Sequence, residues 1–325
     1  MTSADDKTYE GNCHCGAIKF SVSLPSLETS PDPPLHSCGC SICTKKGYLN
    51  VFVPKSAITV TKGGGSDGLG AGVLADYTFN SKQVLHRFCP QCGTPFGMLA
   101  QDLPDDGIVA LNARMFRDVD LWSLGVKENA GPQTPLAYTP PVFHELEALR
   151  AEPLPEGEKI YPGSCHCGAI TFALKSPWLL EKTGPADVDN NQVAECDCST
   201  CIRFAGFYTY PTPLTRVPMH ISPPDALSVY FSAAGSGFGC VTFCRICGCH
   251  VGQKLVGPPA ERVAKLPEHV QAIVREKLQL RPVHVRALDF VLGLTEEDRA
   301  EWGRVKASVK RERGSQTGKP YVVPE

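Results

Sequence analysis

The chain has 325 residues, a formal net charge of −2 and 20% charged residues, and it contains sixteen cysteines. That length accommodates two domains of ordinary size, each with its own core, and the near-neutral balance gives no electrostatic reason to expect nucleic acid or an acidic membrane as partner. No run of 18 apolar residues occurs, and the start MTSADDKTYEG lacks the basic and apolar stretches of a secretory signal, so a cytoplasmic address is expected; sixteen cysteines in a reducing compartment point to metal rather than to disulfides.

Taken in chain order, the first elements are short apolar runs, AIKFSV, LNVFVP, DYTFN and GIVALN, rich in β-branched and aromatic residues and bounded by Gly, Pro and Ser. This is strand chemistry. Between two of them lies GGGSDGLGAG, Gly63–Gly72. No GK[ST] follows it, so it reads as a floppy hairpin connection and not as a phosphate loop. Residues 126–158 are rich in proline and read as a linker carrying one short helix near Val142–Arg150.

The pattern then restarts. GSCHCGAITF at Gly163–Phe172 repeats GNCHCGAIKF at Gly11–Phe20, and AITFAL, GFYTYP, LSVYFS and HVRALDF are again strand-like. Pro267–Leu280 is the exception: Val270, Ile273, Val274 and Leu278 have helical spacing, an insertion peculiar to the second half. Arg304–Lys319 is basic and reads as a solvated helix end followed by a loose terminus. The expectation is a mainly β chain of two tandem domains, 1–125 and 159–325, joined by the linker 126–158.

The cysteines carry the chemistry. In the first half they fall as C-x-C (Cys13, Cys15), C-x-C-x-x-C (Cys38, Cys40, Cys43) and C-x-x-C (Cys89, Cys92). The second half repeats the order with Cys165 and Cys167, then Cys196, Cys198 and Cys201, then Cys244 and Cys247; only Cys240 and Cys249 stand outside. Thiolates one to three residues apart on tight turns reach one tetrahedral zinc, and two such pairs close a four-thiolate site. Seven ligands per half divide into four plus three. A closed four-thiolate zinc serves structure, whereas a three-thiolate zinc keeps a place for water, a thiolate or a carbonyl oxygen. Spacing alone leaves open which groups combine; the outer two can make the four.

The motifs G-x-C-x-C-G-x-I-x-F, C-x-C-S-x-C and F-C-x-x-C-G, in this order, resemble the glutathione-dependent formaldehyde-activating enzyme and centromere protein V family, a zinc-bearing fold called a β-tent. The resemblance implies a structural zinc on Cys13, Cys15, Cys89 and Cys92 and another on Cys165, Cys167, Cys244 and Cys247. It implies functional zinc on Cys38, Cys40 and Cys43, and on Cys196, Cys198 and Cys201. It further implies carbon–sulfur lyase or adduct-forming activity on thiol adducts of small carbonyl compounds, with glutathione as a co-substrate. The second half departs from the pattern, placing Cys249 and His250 where the first has Thr94 and Pro95. Its chemistry stays open between a structural role and a second or specialised site.

Around the open site, His36 is the nearest histidine in sequence and the candidate for proton transfer. Lys45 and Lys46 follow Cys43 and are candidates for a substrate carboxylate, or else a solvated pair; Arg203 holds the place of Lys45 in the second half. His14 and His166 sit inside the C-x-C turns, where the thiolates suffice as ligands. His86 reads as a satisfied structural histidine. The competing classes are an enzyme recruited to a specialised metabolite without glutathione, a non-catalytic zinc-stabilised interaction module, and a redox or metal-buffering protein.

Overall fold

In this computed structural model residues 6–129, 138–177, 193–209, 212–232, 238–314 and 321–325 are described. They form two units. The first comprises Met1–Tyr138 with Ile202–Ala205 and Tyr321–Glu325, and the second Thr139–Cys201 with Gly206–Pro320. The architecture is mainly β, as the short alternating runs predict.

Alternation decides which way each strand of the first unit faces. In β2 (Lys19–Pro25) Phe20, Val22 and Leu24 are buried. This strand lies between β1 (Asp6–Asn12) and β5 (Ile58–Lys62), both antiparallel to it. A seven-stranded sheet holds the rest. Its strands are β3 (Leu35–Cys38), β4 (Asn50–Pro54), β6 (Ala75–Tyr77), β7 (Val84–Phe88), β8 (Pro95–Ala100), β9 (Ile108–Asn112) and β10 (Val126–Asn129), in the order β10-β3-β4-β9-β8-β7-β6. Val51, Val53, Val109 and Leu111 fill the core from one face. The other face carries Phe52 and Ile108, each more than half exposed. The helix α1 (Ser41–Lys46) follows β3 and ends on Gly47, whose φ of 61° is the left-handed cap that glycine adopts freely.

Two expectations meet different packing. The glycine-rich loop is not floppy: Asp67 accepts from the backbone of Leu69 and Ala71 and from Arg87 Nη1 at 2.6 Å, while Arg87 grips Asp76 in a bidentate pair at 2.7 and 2.9 Å. Gly65 belongs to this wrap, since a Cβ there would meet the Ala71 carbonyl oxygen at 2.0 Å. Val126–Asn129, read as linker, is β10, parallel to β3. The short helix read near residue 142 is α2 (Leu146–Ala151); Leu146 and Leu149 pack with Phe143, Ala173 and Ile160. The stretch 130–137 lies outside the described residues.

In the second unit β11 (Glu158–Ser164), β12 (Ile170–Pro177) and β16 (Met219–Ile221) form one sheet, and β17 (Leu227–Tyr230), β18 (Gly239–Cys244) and β19 (His250–Leu255) another. A third sheet sets β13 (Val193–Cys196) between β14 (Phe207–Thr209) and β21 (Lys310–Glu312), and β15 (Thr212–Pro213) pairs with β20 (Leu280–Arg281). The helix α3 (Ser199–Arg203) follows β13. The insertion supplies α4 (Ala260–Val263) and α5 (Glu268–Lys277), the latter where helical spacing predicts it. The basic segment continues α6 (Glu296–Ser308) into β21, parallel to β13, so part of it is sheet; residues 315–319 of it are outside the described set. Among the described residues no helix is long and apolar enough to cross a membrane.

Candidate metal centres

Each unit brings its C-x-C and C-x-x-C groups together. The Sγ atoms of Cys13, Cys15, Cys89 and Cys92 all lie within 4.8 Å of one another, as do those of Cys165, Cys167, Cys244 and Cys247. None of the sixteen cysteines is in a disulfide. The contacts Cys13–Cys15 and Cys15–Cys89, at 3.6 and 3.5 Å, are close to the edge of about 3.8 Å that a sulfur tetrahedron has at a Zn–S distance of about 2.3 Å. Local turns place these sulfurs: Gly16 and Gly93, both with positive φ, close the two knuckles through N–H bonds to the carbonyls of Cys13 and Cys89. The Ile18 amide points at Cys13 Sγ from 3.4 Å, and Thr94 Oγ1 lies 3.1 Å from Cys92 Sγ. In the second unit Cys249 bonds the Cys247 thiolate as Thr94 does Cys92, so the departure from the motif keeps the same service to the metal ligand. Cys240 is buried, its thiol on the Lys254 carbonyl. His14 and His166 are buried beside these sets, and burial pushes His14 down to about 4.

The middle groups form two further clusters, Cys38 with Cys40 and Cys43, and Cys196 with Cys198 and Cys201, again with all sulfurs within 4.8 Å. The donor sets fit zinc as soft thiolates. Each trio stores negative charge. Hydrogen bonds from Cys40 and Cys43 pull Cys38 down to about 2, and bonds from Cys196 and Cys201 pull Cys198 down to about 3. The trios sit at the ends of like strand pairs: Gly39 N bonds Asn129 O beside the first, and Asp197 N bonds Glu312 O beside the second.

Register shows what faces the first trio. Tyr77 pairs with His86, His86 with Met98, Met98 with Ala110, and Ala110 with Phe52, so all five share one face of the sheet. Met98 Sδ lies 3.6 Å from Cys43 Sγ, which puts that face toward the cluster. His86 stands on this face beside Met98, where a positive charge would lower the Cys38 thiol. Phe79 stands 5.5 Å from its ring and stacks on Tyr77. His36 shares the face but sits edge-on to Phe52 at 5.1 Å. Sequence reading set His86 aside because its placement depends on pairing across β7 and β8. The lysines are redirected. Lys45 and Lys46 are 1% and 2% exposed, and the Lys46 ammonium lies 4.8 Å over the Phe88 ring, so neither is a solvated charge held out toward a carboxylate. Arg203, counted with the first unit, donates to the Asn12 carbonyl and stacks 4.7 Å over Tyr321.

In the second unit the corresponding ladder runs Tyr230, Val241, Gln253. Valine stands where the first unit has His86, glutamine where it has Met98, and Ala194, two residues before Cys196, where it has His36.

A crystal structure of a Rhodobacter sphaeroides protein is similar at 25% identity over 37% of this chain and 99% of that one, with a TM-score of 0.30. The family model described as "Glutathione-dependent formaldehyde-activating enzyme" matches residues 8–124. The resemblance that the cysteine motifs carry is thereby matched within the first unit, over about a third of the chain.

Proposed function

We propose that the chain is a zinc-dependent enzyme that makes or breaks the carbon–sulfur bond of thiol adducts of small carbonyl compounds, with its working site at Cys38, Cys40 and Cys43 and with the second unit a divergent domain of the same kind. One observation carries this: beside a complete four-sulfur set, each unit assembles a set one sulfur short. A zinc ion held by three thiolates supplies a Lewis acid with room for one further sulfur or oxygen donor.

The chain's own residues divide the remaining work. Cleaving an S-(hydroxyalkyl) adduct breaks the C–S bond, leaves its electron pair on sulfur as thiolate, and turns the carbinol into a carbonyl as the hydroxyl proton departs; formation is the reverse. One proton must therefore be taken up nearby. His86 is the better placed acceptor, since as a neutral imidazole it stands beside Met98 on the face turned to Cys43, while the His36 ring is engaged with Phe52. Lys45 and Lys46 are buried on the helix that carries Cys43, and the Lys46 ammonium lies over the Phe88 ring. That burial favours a second version of the same reading, in which the thiol is not glutathione, because the expected carboxylate anchors are not on offer at the surface.

Metal analysis beside an adduct screen tests the proposal. Four clusters predict four zinc ions per chain and three in Cys40→Ser, with turnover of hemithioacetals and glutathione conjugates lost in the variant. A Cys40→Ser protein that keeps full activity rejects the assignment.

A further inference from the structure

Asn50 opens β4, is 1% exposed, and its Oδ1 has no hydrogen-bond partner among the described residues. An unmade buried acceptor costs about 1–3 kcal/mol, and folded proteins keep few of them. Its ladder neighbour cannot serve it: the Asn112 amide donates to the Pro95 carbonyl and accepts from the backbone N–H groups of Leu49 and Arg114. Alternation puts Asn50 on the face of Phe52, and it pairs with His36, two residues before Cys38. That is the face Met98 presents to Cys43.

The second unit holds a different polar group at the same place. Tyr208 pairs with Ala194, two residues before Cys196, as Asn50 pairs with His36. It is 8% exposed, and its hydroxyl makes no hydrogen bond of ordinary geometry among the described residues, with the Gln253 side chain turned to it. A Cβ on Gly206 would meet Cys201 Cβ at 2.8 Å and Tyr208 Cε2 at 2.9 Å, so the Tyr208 ring lies beside the three-sulfur cluster.

We propose that this one ladder position sets the hydrogen-bond polarity of the ligand at each three-cysteine centre: the Asn50 carbonyl oxygen accepts the hydroxyl of a hydroxyl-bearing thiol or thiol adduct, and the Tyr208 hydroxyl donates to a carbonyl or carboxylate oxygen. The inference rests on the reading of these centres as thiol-binding sites. It gives the two units different substrate classes on one set of metal ligands. Sites built to hydrogen-bond a hydroxyl reject analogues that lack it, because the buried partner is then left unpaired.

The test uses the full chain loaded with cobalt(II), whose sulfur-to-metal band reports thiol binding without turnover. In a Cys198→Ser background, which confines the response to the first unit, 2-mercaptoethanol is expected to bind about tenfold tighter than 1-propanethiol, about 1.4 kcal/mol. Asn50→Leu should erase that preference while thermal stability stays equal or rises, since it removes an unsatisfied acceptor. In a Cys40→Ser background, mercaptoacetate should be preferred over 1-propanethiol, and Tyr208→Phe should abolish the preference. A preference that survives Asn50→Leu, or a loss of stability with binding unchanged, overturns the inference alone. If no thiol perturbs the cobalt band, the thiol-binding reading falls and the inference with it.

Discussion

The two three-cysteine centres share their sulfurs and differ in almost everything that faces them. Both follow a strand paired in parallel with a later segment of the chain, β3 with β10 and β13 with β21. Both run into a short helix followed by a left-handed residue, Gly47 directly after α1 and Ala205, with φ of 51°, two residues after α3. The lining then diverges: His86 against Val241, Met98 against Gln253, His36 against Ala194, Asn50 against Tyr208. The second centre is also overlaid by Gly314, where a Cβ would come 2.5 Å from Cys196 Sγ. The spacing of the sulfurs depends on local turns and changes little, whereas the residues that line them come from neighbouring strands and differ between the units.

The largest effects test what the units have in common. Cys15→Ser and Cys167→Ser each open a four-sulfur set. Structural zinc contributes about 10–16 kcal/mol of apparent binding energy in small zinc domains, so each change should unfold its own unit, visible as lost circular dichroism and one zinc fewer. Equal sensitivity supports equal structural roles; a silent Cys167→Ser breaks the comparison.

His86→Val gives the first unit the residue of the second. Loss of a positioned general base should lower kcat about 10²-fold and flatten the acidic limb of its pH profile, with KM little changed. An unchanged profile would remove His86 from proton transfer.

Next comes the pair at the following ladder position, Arg87 and Thr242. Arg87→Met leaves Asp67 and Asp76 without their partner; both carboxylates are about one-third exposed, so the expected cost is about 2–3 kcal/mol in a denaturant titration. Thr242→Val removes only the hydroxyl bond to Gly252 O at 3.0 Å and should cost about 1 kcal/mol.

The smallest effect is titration at the edge of the first unit. Hydrogen bonds from Lys7 and Tyr9 hold Glu28 down to about 2, below its ordinary value of 4.5. A depressed carboxylate stabilises the fold fully above the unfolded value and loses that contribution as pH falls through the folded one. Glu28→Gln should therefore cost about 0.5 kcal/mol near pH 7, given the exposure of the Lys7 and Glu28 side chains, and only a small part of that at pH 2, where the carboxyl is about half protonated. A cost undiminished at pH 2 would assign the effect to packing.

The local cysteine groups were legible in the sequence, because the sulfurs of C-x-C and C-x-x-C are placed by their own turns. The strands were legible too: Phe20, Val22 and Leu24 alternate as a half-buried strand requires. The glycine-rich loop misled, since its order comes from Arg87, twenty residues beyond Asp67. Lys45 and Lys46 misled because charge ordinarily marks surface, and here the helix that carries them is covered.

The order of amino acids by itself determined six short-spaced cysteine groups, a mainly β chain and its inserted helix, since each follows from spacing within a few residues, whereas the fold joined the outer groups of each half. Which side chains look into the three-sulfur clusters was decided only by tertiary structure. A shift of one residue in a β ladder would turn His86, Met98 and Asn50 to the opposite face, and nothing local to those residues specifies that register.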